Sequence, residues 1–181
     1  TIAIMQPYFM PYIGYWQLLA AVDTFVIFDD VNYRKKSFID RNGVTVEGDF
    51  KRFKLKVVGA SQNKKINDLY LIDSRAQLLR QISGIFNGSP YYATFFPVLE
   101  EIFYCDADKL SDFVIHSIKV VAKFLELPTS ILVSSQILAG NGSKTKVYDL
   151  VDVVGGTALV NNISGVALYD SKLIVNAVSN F

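Results

Sequence analysis

Four short apolar runs constrain the fold of this chain more than any other feature of its sequence. They occupy residues 1–6, 24–30, 131–135 and 157–161, and their β-branched residues suit buried strands better than helices. A helical pattern at 14–22 lies between the first two runs. Strand, short helix and strand in close succession are typical of a βαβ unit, which pairs its strands in parallel. The runs therefore predict an α/β fold with a mainly parallel sheet.

The segments between these runs predict additions to the sheet. Residues 36–58 alternate in polarity around two turn signals, "NG" and "EGD", which predicts an inserted antiparallel hairpin or small meander. From about 75 to 126 the apolar spacing is helical. A helix from about 145 should stop at a glycine, and a last helix should follow the loop within 163–178. We expect one three-layer domain over 1–181, nucleotidyltransferase-like or Rossmann-like, with this hairpin and helical segment.

Composition excludes several classes of protein. Half of the residues are hydrophobic, the net charge is +1 and there is one cysteine, Cys105. Disorder, nucleic-acid binding, a disulfide framework and a cysteine-rich metal site are therefore not expected, and we assign no metal to the chain. Gln6, Pro7 and Pro11 interrupt the apolar N-terminus, so we do not expect a signal peptide. We expect a cytoplasmic protein with no integral membrane segment, since no apolar run reaches about eighteen residues.

Polar side chains follow each predicted parallel strand at its carboxyl end. Any strand must give way to a polar loop, but four such ends together favour a ligand site, because open α/β sheets bind ligands at that edge. Asp29 and Asp30 are candidates for a general base or a metal ligand, although neighbours on a strand point to opposite faces unless the chain has turned. The polar residues at the four predicted strand ends are Gln6, Asp29, Asp30, Ser134, Ser135, Asn161 and Asn162.

A basic cluster follows the second strand at Arg34, Lys35, Lys36 and Arg41. A charge run of this kind is often only a solvated surface. Its position beside the predicted edge favours a second interpretation, in which it binds a phosphate or carboxylate through charge-assisted hydrogen bonds.

The loop "QPYFMPYIGYW" carries both packing and ligand-binding candidates. Two prolines restrict it, and we expect Gln6, Tyr8 and Tyr12 to contact a ligand while Tyr15 and Trp16 pack in the core. His116 lies within a helical pattern and is expected to be structural rather than catalytic. The "GNGSK" stretch lacks the spacing of a Walker motif.

Several blocks together resemble the WbqC-like family, named from an O-antigen gene cluster. They include "IAIMQPYFMPYIGYWQLL", "VDTFVIFDDVNYRKKSFIDRNGV", "SILVSSQI" and "NNISGVALYDSKL". The resemblance implies a transferase of bacterial surface-polysaccharide biosynthesis, with glycine or another acyl group on a sugar as the suggested cargo. The layout is also similar to nucleotidyltransferases of the HIGH-motif superfamily, although the two histidines of that motif are absent.

Two functions follow as hypotheses. The first is a transferase that acts on a nucleotide-linked sugar or an acyl or aminoacyl donor, with Asp29 and Asp30 as catalytic candidates and no cofactor assigned. The second is a non-catalytic ligand-binding or scaffold protein of a polysaccharide-assembly complex. The expected partner is a small-molecule substrate, and the expected substrate-binding residues are Gln6, Tyr8, Tyr12, Arg34, Lys35, Arg41, Asn42, Ser134, Ser135, Asn161 and Tyr169.

Overall fold

Most of the predicted strands and helices are present in a computed structural model, which describes residues 1–138, 144–161 and 174–176. The strands are β1 (Ile2–Met5), β2 (Thr24–Ile27), β3 (Arg41–Val46), β4 (Asp49–Lys54), β5 (Ser130–Val133), β6 (Leu159–Asn161) and β7 (Ile174–Asn176). The α-helices are α1 (Ile13–Ala20), α2 (Arg75–Phe86), α3 (Tyr92–Phe103), α4 (Leu110–Phe124), α5 (Ser134–Ile137) and α6 (Lys144–Val153). No helix among these residues is long and apolar enough to cross a bilayer.

The chain divides into two compact units. The first comprises Thr1–Gln6, Pro11–Val31 and Glu126–Phe181, and the second comprises Pro7–Met10 and Asn32–Leu125. The prediction of a single domain stays a prediction.

A parallel sheet with helices on both faces forms the first unit. Its strand order is β5-β2-β1-β6-β7, and every neighbouring pair is parallel. Successive residues of a strand face opposite sides. Phe25 of β2 packs against Tyr15 of α1, with ring centroids 5.2 Å apart. The next residue, Val26, belongs to a buried cluster with Leu150 and Val151 of α6. The predicted three-layer α/β arrangement is therefore confirmed in this unit.

Of two predictions about the C-terminal part of the first unit, one is confirmed and one is wrong. Helix α6 stops in a Schellman motif: Gly155 has φ of +67°, and Gly156 N–H donates to the Val151 carbonyl at 2.8 Å. The predicted glycine stop is thus confirmed. The predicted last helix is wrong at 174–176, where the backbone pairs with β6 as strand β7. The rest of that prediction lies outside the described residues.

An antiparallel hairpin and three helices form most of the second unit. Strands β3 and β4 pair from Arg41↔Lys54 to Val46↔Asp49, and Glu47 and Gly48 turn between them with φ of 52° and 85°. Positive φ at both central residues is the type I′ geometry of tight hairpins. The "EGD" signal marks this turn, whereas Asn42-Gly43 lies within β3 and is not a turn. Helices α2, α3 and α4 confirm the helical segment, and their core includes the buried ring of Phe9.

Candidate functional site

Parallel pairing brings the predicted polar strand ends to one edge of the first unit's sheet. Gln6 follows β1, Asp29 lies just beyond β2, Ser134 follows β5 and Asn161 ends β6. The chain builds the sheet outward from β1 in one direction and later adds β6 on the other side of β1. Strand order therefore reverses between β1 and β6, where open α/β sheets bind ligands. Gln6 and Asn161 flank this switch point, and Asn162 lies outside the described residues.

Asp29, Asp30, Ser134 and Ser135 form one hydrogen-bonded cluster at this edge, which we call the Asp–Ser cluster. The Ser134 hydroxyl lies 3.0 Å from Asp29 Oδ1 and 2.6 Å from Asp30 Oδ1. Ser135 donates to Asp29 from its backbone N–H at 3.0 Å and from its hydroxyl at 2.7 Å. Asp29, Asp30 and Ser134 are all buried. The structure therefore brings together two pairs of adjacent residues that are distant from each other in sequence.

The cluster forms because two strands end earlier than their sequence patterns predict. Strand β2 stops at Ile27, so the chain has already turned at Asp29 and Asp30, and both carboxylates can reach the same hydroxyl. Ser134 is not the end of a strand but the first residue of α5. A serine hydroxyl carries one hydrogen, so it can donate to only one of the two carboxylates at a time. Asp29 is held by both serines and fixes the start of α5.

A cleft with three cationic side chains lies in the second unit; we call it the cationic cleft. Its volume is about 370 Å³. No carboxylate is among the residues that line it, which are Lys36, Ser37, Phe38, Arg41, Asn42, Gly43, Phe50 and Arg52. Concave sites for small molecules commonly enclose about 300–1,000 Å³. Guanidinium and ammonium groups around such a space suit an anionic ligand, phosphate above all.

Strand register places the hairpin's cations on one side. Paired residues of an antiparallel ladder share a face, so Arg41 with Lys54, and Gly43 with Arg52, lie on the same face of the hairpin. A Cβ atom at Gly43 would lie 2.4 Å from Cζ of Phe50. Glycine at this position therefore lets the Phe50 ring lie close against the backbone. The Arg52 guanidinium carbon is 5.6 Å from the centre of that ring, within the range of a cation–π contact.

A tight turn presents Lys36 to the cleft. The Ser37 hydroxyl donates to the Arg34 carbonyl at 2.6 Å and accepts from the Ile39 N–H at 3.4 Å. Lys36 has φ of +62°, the left-handed region that glycine adopts most easily. A strained residue of this kind needs support from its surroundings, and such strain is concentrated at ligand-binding positions.

Arg41 is fixed by a buried carboxylate. Its Nε and Nη2 donate to the two oxygens of Asp40 at 2.9 and 3.2 Å, and the Asp40 side chain is fully buried. Lys54 Nζ lies 3.7 Å from the same carboxylate. The hydrogen bond to Asp40 raises the pKa of Arg41. Burial, and then the charge of Asp40, raise the pKa of Tyr33, which also bonds this carboxylate. These hydrogen bonds therefore hold the Arg41 guanidinium in a fixed position at the wall of the cleft.

The structure separates the predicted substrate-binding residues into several groups. Arg41 and Asn42 line the cationic cleft, but Asn42 also donates to the Met10 carbonyl at 2.6 Å, which gives it a structural role. Arg34 and Lys35 are exposed and are not among the lining residues. Tyr169 lies outside the described residues.

The aromatic residues of the proline loop also have separate placements. Tyr8 belongs to the second unit and packs against Phe38, with ring centroids 5.8 Å apart. Tyr12 belongs to the first unit and is 54% exposed, with its ring against Gly14. Tyr15 is buried, as predicted, and Trp16 donates to the Pro11 carbonyl at 3.1 Å. The interpretation of Tyr15 as a packing residue is confirmed.

Sequence reasoning missed five residues of the cationic cleft: Ser37, Phe38, Gly43, Phe50 and Arg52. A signal for Arg52 was present, because eight lysines and arginines between residues 34 and 56 accompany only three acidic residues. The near-zero net charge of the whole chain conceals this local excess. Alternation along β4 could have placed Phe50 and Arg52 on one face, opposite the buried Phe53.

Comparison with known proteins gives a family but no described activity. A stretch of 43 residues is 42% identical to the uncharacterized protein Rv1507c of Mycobacterium tuberculosis (strain ATCC 25618 / H37Rv), and it covers 24% of this chain and 19% of that protein. No solved structure matches the chain. The sequence matches the WbqC-like protein family over residues 6–177. Since this match spans nearly the whole chain, the protein belongs to the WbqC-like family.

Proposed function

We propose that this protein is a transferase of bacterial surface-polysaccharide biosynthesis that binds a nucleotide-linked sugar or acyl donor. The cationic cleft carries the proposal: Lys36, Arg41 and Arg52 line a space of about 370 Å³ that no carboxylate borders. A nucleotide-linked donor presents its strongest charge at its phosphates, and arginine binds phosphate through several directed hydrogen bonds.

The same cations suit the chemistry of group transfer. An oxygen or nitrogen of the acceptor forms a bond to the transferred carbon, and the bond from that carbon to the donor's phosphate oxygen breaks. The electron pair stays on the departing phosphate, and fixed cations stabilise the charge that develops there. The acceptor's proton leaves to a base, and Asp29 and Asp30 remain the candidates that the sequence indicates for this role.

Arg41 supports the proposal because it is positioned before any ligand arrives. Two hydrogen bonds to the buried Asp40 use Nε and one terminal nitrogen of its guanidinium. Hydrogens of the terminal nitrogens remain for a ligand, since a guanidinium has five N–H donors. A cation that is already held loses little side-chain freedom on binding, which strengthens binding of the anion.

Thermal denaturation with a panel of donors tests the proposal. Nucleoside diphosphate sugars and acyl adenylates are each added at 1 mM, and the melting temperature is compared with that of the ligand-free protein. A donor with a Kd near 10 μM should raise the melting temperature by roughly 5–10 °C. Mass spectrometry of sugar acceptors incubated with any stabilising donor then shows whether a group is transferred. A panel with no shift would contradict the proposed donor class.

The second hypothesis, a non-catalytic ligand-binding protein, is favoured by one observation. Both carboxylate oxygens of Asp29 accept hydrogen bonds from Ser134 or Ser135, as expected of a structural carboxylate. Under this hypothesis a donor stabilises the protein but is never consumed, and Asp30→Asn leaves polysaccharide production in cells unchanged. Transfer of a group by the wild type, and its loss in Asp30→Asn with unchanged donor binding, would exclude it.

A further inference from the structure

Two half-exposed phenylalanine rings border the cationic cleft. Phe38 is 51% exposed and Phe50 is 59% exposed. The second unit does not bury the exposed parts of these two rings, so that apolar surface can still be buried by a ligand. Exposed apolar surface beside polar groups commonly marks a place where a ligand binds.

Both rings are supported on one side by the protein. Phe38 packs against Tyr8, with centroids 5.8 Å apart and planes tilted by 58°. Phe50 lies close against the backbone at Gly43, where a Cβ atom would lie 2.4 Å from its ring. Arg52 adds a contact to the Phe50 ring at 5.6 Å. The rings are thus held in place while about half of each remains open.

Proteins that bind single-stranded nucleic acid without sequence preference combine cations with aromatic rings, and the same combination suits a single nucleotide. The cations contact phosphate, and a base stacks on the ring, since every base has an aromatic face. Free sugar phosphates and inorganic pyrophosphate offer the charge but no such face.

We propose that the cationic cleft binds the nucleoside diphosphate part of the donor, with its base against Phe38 and Phe50 and its phosphates on Lys36, Arg41 and Arg52. This inference rests on the proposed function and narrows it. It moves the aromatic contact with the ligand from Tyr8 and Tyr12, expected from the sequence, to the two phenylalanines of the cleft.

Isothermal titration calorimetry with three probes tests the inference: uridine diphosphate, adenosine diphosphate and inorganic pyrophosphate. At least one nucleoside diphosphate should bind roughly 5- to 100-fold more tightly than pyrophosphate, the gain typical of stacking one base. Phe50→Leu and Phe38→Leu should each remove most of that difference and leave pyrophosphate affinity within about twofold, because leucine keeps apolar bulk but has no aromatic face. Tyr91→Leu is the matched control, since Tyr91 is 79% exposed and does not line this cleft.

The outcomes separate this inference from the proposed function. Equal affinity for pyrophosphate and both nucleoside diphosphates would overturn base stacking while leaving phosphate binding intact. Absence of binding by all three probes would overturn both. If Phe50→Leu melts before the measurement temperature, the Phe38→Leu variant decides, because Phe38 lies outside the hairpin ladder. Unchanged nucleotide preference in Phe38→Leu would then overturn the inference.

Discussion

The fully buried carboxylate of Asp40 accepts two hydrogen bonds from Arg41, at 2.9 and 3.2 Å. The two residues are adjacent in sequence, yet they differ in their surroundings, because the Arg41 side chain is 22% exposed and lines the cationic cleft. Arg41 thus contacts both the buried core of the second unit, through Asp40, and the candidate ligand site. A substitution of Arg41 should therefore change both the stability of the protein and its affinity for a ligand.

Loss of Arg41 should destabilise the protein more than loss of the other cation near Asp40. Arg41→Met leaves a buried carboxylate without its main partner, and we expect the free energy of unfolding to fall by about 2–4 kcal/mol. Lys54→Met should cost less than about 1 kcal/mol, because Lys54 is half exposed and 3.7 Å away. Urea denaturation measures both. In the double variant Asp40→Asn/Arg41→Met part of the loss should return, and equal losses in the two single variants would contradict this account.

Tyr33 should make stability fall at alkaline pH. Burial and Asp40 raise its folded-state pKa above the ordinary value of 10.0. The unfolded chain therefore releases this proton first, so the stability that Tyr33 contributes is present below pH 10 and is lost as pH rises through the folded-state pKa. Tyr33→Phe cannot ionise and should flatten the decline above pH 10. Urea denaturation at a series of pH values gives the slope.

Cys105 needs a control in this experiment because burial also raises its pKa, from an ordinary value of 9.0. Its contribution has the same sign and begins at lower pH. Both proteins should therefore carry Cys105→Ser, which removes the thiol. An identical alkaline slope with tyrosine and with phenylalanine at position 33 would show that Tyr33 does not contribute.

Lys36→Gly should separate stability from ligand binding. Glycine relieves the left-handed backbone at this position, so the free energy of unfolding should stay the same or rise by up to about 1 kcal/mol. Affinity for a nucleoside diphosphate should fall several-fold, because one of the three cations is lost. Lys35→Gly is the matched control: it removes a neighbouring cation that does not line the cleft, and it should leave affinity unchanged. A loss of stability in Lys36→Gly, or equal binding losses in both variants, would contradict the assignment.

Ser134→Ala should cost more stability than Ser135→Ala. Ser134 is fully buried and its hydroxyl lies within hydrogen-bond distance of both Asp29 and Asp30, so its removal withdraws the one donor that these two buried carboxylates share. We expect a loss of about 2–4 kcal/mol, against roughly 1 kcal/mol for the hydroxyl of Ser135, which contacts Asp29 alone. Thermal and urea denaturation of the two alanine variants measure the difference. Equal losses would mean that Ser134 does not hold the cluster together.

The parallel sheet could be predicted because its strands are buried on both faces, and such strands appear in the sequence as short, continuous apolar runs. Ile2, Val26 and Leu159 lie in apolar runs that fit no amphipathic pattern, and a short helical segment separates the first two. The ends of the strands were harder to predict. Asp29 and Ser134 are polar residues after an apolar run, and the same pattern occurs at any strand end, whether or not it belongs to a site. At 174–176 the predicted helix is wrong because Ile174 and Val175 are β-branched residues that favour a strand, and the segment pairs with β6 as β7.

The candidate site could be predicted only where its residues are close in sequence. Lys36, Arg41 and Asn42 lie close together in the sequence, so their charge and polarity indicate a binding site. Arg52 and Phe50 reach the same cleft only through the register of β3 against β4, which depends on the turn at Glu47 and Gly48. A turn signal at "NG" competes with the one at "EGD", and each would give a different register.

The most direct test of the cationic cleft compares two neighbouring cations of β4 in calorimetric titrations with a nucleoside diphosphate. Arg52 and Lys51 are both exposed, but they lie on opposite faces of the hairpin, and only Arg52 lines the cleft. Replacing either with glutamine removes the same charge from the same strand. We predict that Arg52→Gln weakens binding at least tenfold while Lys51→Gln changes it less than twofold. Equal effects of the two substitutions, or tight binding that survives Arg52→Gln, would contradict the account.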